Sequence, residues 1–152
     1  MTPGARVQSA IGLLSEILPI DGQTADAAVR AWFRDRRYAG SKDRAAVTGL
    51  VYQVLRQRGE LAWALLPSAE PSARNLTLAA LARLDGLSLV DITERFDGSR
   101  YGPEPLTPDE KAVAVQLVDG GALEAAPDWV RGNYPEALDR PLRAGLGEAV
   151  VA

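Results

Sequence analysis

The sequence predicts an all-α fold, a compact bundle of short helices with no sheet. Apolar residues recur at three- and four-residue spacing along most of the chain. No segment alternates apolar and polar residues in a Val-, Ile- and Thr-rich run. Proline, glycine or Asp-Gly closes each periodic stretch after a few turns, which suits a globular bundle rather than a coiled coil or a repeat array.

The first helix runs from about Ala5 to Leu18. Val7, Ala10, Ile11, Leu14, Ile17 and Leu18 share one side, Pro3 stands near the start, and Pro19 with Asp21-Gly22 ends it. Thr24 caps a second helix, in which Ala28, Val29, Trp32 and Phe33 cluster on one side and Gly40 closes the far end. At about 100° per residue, Arg30, Arg34 and Arg37 then lie within about 60° of one another, roughly opposite that side. Ser41 caps a third helix from about Lys42 to Arg58, where Val47, Leu50, Val51, Val54 and Leu55 face inward while Lys42, Gln53 and Arg56 face outward. A short fourth helix, Glu60 to Leu66, turns Trp63 inward and stops at Pro67; the stretch to Pro71 is a turn.

A fifth helix covers about Ala73 to Leu84 and ends at Asp85-Gly86, and Ser88 caps a sixth through Phe96. A loop from Asp97-Gly98 to Pro105 holds Tyr101. Thr107, Pro108 and Glu110 together supply an N-cap, a proline at the first helical position and a capping-box glutamate, so a seventh helix begins there and reaches about Val118. Beyond Asp119-Gly-Gly121, short helices are expected from about Pro127, carrying Trp129, and after Pro135.

A chain of 152 residues and 16.2 kDa suits one domain, whose core at this length buries about 70% of the unfolded surface. Histidine and cysteine are both absent. Without imidazole or thiolate there is no Cys or Cys/His zinc site, no Ser-His-Asp or Cys-His nucleophile, no redox dithiol and no disulfide. Catalysis would fall to carboxylates, lysine, tyrosine or a cofactor. No apolar run reaches the roughly 18 residues of a spanning helix. Met1 to Gln8 lacks the regions of a signal peptide, so a cytoplasmic protein with no membrane or metal partner is expected.

The net charge of −3 and pI near 5.0 conceal a split. Between Arg30 and Arg58, eight basic residues stand against two acids, a local charge of +6; nine basic and eighteen acidic residues elsewhere leave −9. A basic segment on an acidic body points to an anionic partner met on one face, against the plainer possibility of a solvated helix pair.

The stretch Gly40-Ser-Lys-Asp-Arg-Ala-Ala-Val-Thr-Gly-Leu-Val-Tyr-Gln-Val-Leu-Arg56 resembles the Asp-Arg, then Leu-Val-Tyr-x-Val-Leu-Arg, signature of the NusB-like N-terminal domain of bacterial Fmu/Sun-type rRNA cytosine-5 methyltransferases. The opening Ala5-Arg-Val-Gln-Ser-Ala-Ile-Gly-Leu-Leu is similar to that domain's first helix. Ala126-Pro-Asp-Trp129-Val and Tyr134-Pro-Glu-Ala-Leu138 look like the segment that leads toward the methyltransferase half. The resemblance implies a NusB-type helical RNA-binding domain over residues 1–125 and a connector over 126–152. It also implies S-adenosylmethionine only in an absent catalytic half, since the family's reaction uses two cysteines and a Rossmann-like domain. On that expectation the chain is either an excised domain or a stand-alone relative, with no cofactor and no catalysis of its own. Its partners would be RNA, ribosomal above all, and its own or a separate methyltransferase domain.

The expected RNA face comprises Arg30, Arg34 and Arg37 on the second helix with Lys42 and Arg56 on the third, and Arg6 matches the family's first-helix arginine. Guanidinium suits phosphate because its donors match bidentately and stay charged. Tyr38, beside Arg37, either stacks on a base or packs at a helix end. Asp43 is expected to complement a helix N-terminus and Arg44 to pair with an acid. Trp32, Phe33 and Trp63 are expected in the core, while Trp129 either packs locally or meets the catalytic half. Capping explains Asp109 and Glu110; Gly145-Leu-Gly147 lacks the strand and third glycine of a dinucleotide loop. A non-catalytic RNA-binding module is the first expectation, and a helical protein–protein adapter using the same basic face is the alternative.

Overall fold

The computed structural model describes residues 1–19 and 24–120, which form seven α-helices and no strand. These are α1 (Pro3–Ile17), α2 (Ala25–Arg34), α3 (Ser41–Arg56), α4 (Arg58–Leu65), α5 (Ala73–Arg83), α6 (Leu89–Arg95) and α7 (Pro108–Val118). The expected turn at Asp21-Gly22, the helices after Pro127 and Pro135, Trp129, the Gly145-Leu-Gly147 stretch and the connector over 126–152 lie outside the described residues.

Helix starts follow the side chains that satisfy their free N–H groups. Thr2, Thr24, Ser72, Ser88 and Thr107 each accept from the N–H three residues on, and at α7 the Glu110 carboxylate accepts in turn from Thr107 N, completing the capping box. Thr2 starts α1 at Pro3, two residues before the apolar period begins. α3 departs from expectation: Gly40, in extended conformation, is its cap, and Ser41 is the first helical residue.

α5 is the hub. It touches α1, α3, α4, α6 and α7, and residues Leu76 to Ala82 are buried without a break. A helix apolar on every side belongs in the middle of a bundle. Its single buried polar side chain, Thr77, donates to Ala73 O at 2.7 Å, so no hydroxyl is left unpaired there. Around it Leu13, Leu14, Val47, Val51, Val54, Leu61, Leu65, Ile92, Phe96 and Leu117 complete the core.

Further boundaries differ from the sequence reading, and α3 ends at Arg56 rather than Arg58, with Gln57 as its C-cap. α2 ends at Arg34 rather than near Gly40. Beyond it the backbone bonds tighten to three-residue spacing, Arg36 N to Phe33 O and Ala39 N to Arg36 O, both 3.1 Å. This turn carries Ala39 into the core and frees Arg36 to lie flat on the Trp32 ring, 3.4 Å from its centroid. α4 begins at Arg58 after the single residue Gln57, earlier than Glu60. Of the three aromatics assigned to the core, Phe33 is buried, whereas Trp32 and Trp63 are only partly so. Among the described residues no helix is long and apolar enough to cross a membrane.

Candidate nucleic-acid interface

α2 packs chiefly on α1, and an open recess of about 620 Å³ lies between it and the N-terminal half of α3. The recess is lined by Val29, Phe33 and Thr48 and by four arginines, Arg30, Arg34, Arg37 and Arg44. Arg30 and Arg34 stand one turn apart on α2, while Arg37 arrives from the turn after the helix rather than from the helix itself. None of the four makes an ion pair among the described residues.

Arg44 is the member that sequence reasoning missed. It was expected to pair with an acid; instead its Nε donates to Ala39 O at 3.3 Å and its guanidinium lies 5.6 Å from the Phe33 ring centroid. Arg44, Thr48 and Tyr52 recur every four residues on the edge of α3 beside its apolar stripe, a periodicity that would have singled it out. One turn beyond Thr48 on α3 and one turn before Arg30 on α2, the Tyr52 hydroxyl donates to Asp26, which occupies that carboxylate and holds the Tyr52 phenol above its ordinary pKa. Desolvation adds to that rise, and Arg30 opposes it.

The remaining expected residues lie elsewhere. Lys42 is exposed about 160° round α3 from Arg44, and Arg56 is exposed on the same outward side, about 21 Å further along the helix. Arg6 donates through Nε to Asp43 Oδ1 at 2.9 Å, and the Met1 amino group reaches Asp43 Oδ2 at 3.4 Å. The Asp43 carboxyl is held below the usual range, first by the Arg6 hydrogen bond. Arg6 therefore ties α1 to the first turn of α3 and is not part of the recess.

A second depression, of about 1000 Å³, lies on the other side of the turn after α2, between α1 and the loop after α6. Trp32, Tyr38 and Tyr101 supply its aromatic surface and Gly12 part of its floor. Tyr38 is 75% exposed and so does not pack at the helix end. A Cβ on Gly12 would stand 2.7 Å from Trp32 Cη2, so the indole rests where only glycine leaves room. The loop carrying Tyr101 is fixed from behind: Arg74 Nη2 donates to Glu104 O at 2.8 Å, and the same guanidinium pairs with Glu110 and lies 4.8 Å over Phe96. Asp97 accepts from Ser99 N at 3.0 Å, which lowers its carboxyl pKa and tightens the loop's first turn.

No family model matches the chain, and no match is found among curated proteins or solved structures. Among the described residues there is no cluster of three or more metal-ligating side chains.

Proposed function

We propose that the chain is an RNA-binding module that holds a phosphate backbone in the recess between α2 and α3. The carrying observation is the convergence of Arg30, Arg34, Arg37 and Arg44 on one recess with no carboxylate paired to any of them among the described residues. Exposed arginines from α2, from the turn after it and from α3 suit a polyanion better than a single acidic side chain, because successive phosphates can meet successive arginines. The resemblance of Ser41 to Arg56 to the NusB-like domain of rRNA cytosine-5 methyltransferases supports the same reading and narrows the partner to ribosomal RNA. On that reading the module positions substrate in the cytoplasm for a methyltransferase half, which would supply S-adenosylmethionine chemistry.

Binding of a single-stranded rRNA fragment at two salt concentrations tests this. Affinity that falls as salt rises is expected; salt-insensitive or absent binding rejects the reading. Tighter capture of an acidic peptide than of RNA would favour the adapter alternative.

A further inference from the structure

The turn after α2 sends two consecutive side chains to two different places. Arg37 lines the arginine recess, and Tyr38 lines the aromatic depression. Their Cα atoms are about 3.8 Å apart, so the two depressions adjoin at this turn. A strand whose phosphates follow Arg34 and Arg37 and which then crosses the turn brings its next base within reach of Tyr38. Across the depression Tyr101 is 66% exposed, with Arg100 lying 5.2 Å from its ring centroid. Two exposed rings beside a cationic track match the chemistry of a stacking platform, where flat bases cover aromatic faces while arginines follow the backbone. The floor between them is formed by one side of α1, where Ala5, Ser9 and Gly12 carry little bulk.

We propose that this depression is a base-binding subsite, in which unpaired bases of a single strand stack on Tyr38 and Tyr101 while the adjoining phosphates lie against Arg34 and Arg37. The proposal rests on the RNA-binding reading and adds to it that bases, not only phosphates, carry affinity. Stacking reads no sequence by itself, because every base has a π-face; the subsite selects single strands over duplex, whose bases are already stacked.

The test uses the full chain with a labelled single-stranded RNA and its abasic counterpart of equal length, followed by fluorescence anisotropy. The base-bearing strand is expected to bind about tenfold tighter than the abasic one. Tyr38→Ala and Tyr101→Ala should each remove about half of that preference in free energy, about threefold, while leaving the dependence on salt in place. Tyr38→Phe, which keeps the ring, should restore what Tyr38→Ala loses. Equal affinity of the wild-type protein for both strands, with salt dependence intact, overturns the subsite and leaves the phosphate recess standing. Failure to bind either strand overturns both.

Discussion

The Arg44 guanidinium lies 5.6 Å from the Phe33 ring centroid and donates to Ala39 O, so α3 holds a cation over α2 that pairs with no carboxylate among the described residues. The ring and the carbonyl fix the guanidinium's direction, and its remaining donors stay available to a ligand. Arg44→Ala should therefore lower RNA affinity and reduce the magnitude of the log-log salt slope by about 0.7, the share of one single-stranded phosphate. Arg44→Lys, which keeps the charge but loses the planar fork, should retain the slope and still lose affinity. Anisotropy titrations across a salt series check both.

Arg74 and Glu110 form a two-point pair, Nε to Oε2 at 2.7 Å and Nη2 to Oε1 at 3.0 Å, with both side chains mostly shielded. A double-mutant cycle with Arg74→Met and Glu110→Gln should give a coupling of about 1 kcal/mol in urea unfolding. The Arg74 hydrogen bond holds the Glu110 carboxyl below its ordinary value of 4.5. Stability from this pair is therefore fully present above that value and is lost as pH falls through the lowered folded value. Glu110→Gln should flatten the acid limb of the stability profile; an unchanged limb would show that the pair contributes nothing there.

Gly4 and Gly49 should respond to alanine in opposite directions. A Cβ on Gly4 would sit 2.7 Å from the backbone oxygen of Arg95, where α1 meets the end of α6, and backbone cannot swing aside. Gly4→Ala is expected to cost about 1–3 kcal/mol. At Gly49, exposed in the middle of α3, nothing lies within 4 Å, so Gly49→Ala should gain up to about 1 kcal/mol of helix propensity. Denaturant midpoints at constant slope measure both.

Local chemistry made most of the helical framework legible in the sequence. Thr24, Ser88 and Thr107 marked helix starts, the Val47 to Leu55 period marked the buried side of α3, and the unbroken apolar run of α5 reports its central place once the structure is seen. Boundaries failed where a long-range contact decided them. α2 stops at Arg34, and the tighter turn beyond it carries Ala39 into the core, a placement that no helical period encodes. The same limit governed the site. Helical spacing grouped Arg30 with Arg34, and Arg37 joined them by a route other than the helix that spacing assumed. Lys42 and Arg56 share the local charge without sharing the face, and Tyr101, more than sixty residues beyond Tyr38 in the chain, lines the same depression on a loop that Arg74 helps to anchor.

The salt dependence of single-stranded RNA binding tests the central claim most directly, compared between the wild-type protein, Arg34→Glu with Arg37→Glu, and Lys42→Glu with Arg56→Glu. Four phosphates held by the recess give a log-log slope of about −3. The recess pair should lose affinity and at least about 1.4 of that slope, while the outward pair should keep most of both. An unchanged slope in Arg34→Glu with Arg37→Glu, or an equal loss in the outward pair, would contradict the assignment of the recess as the phosphate site.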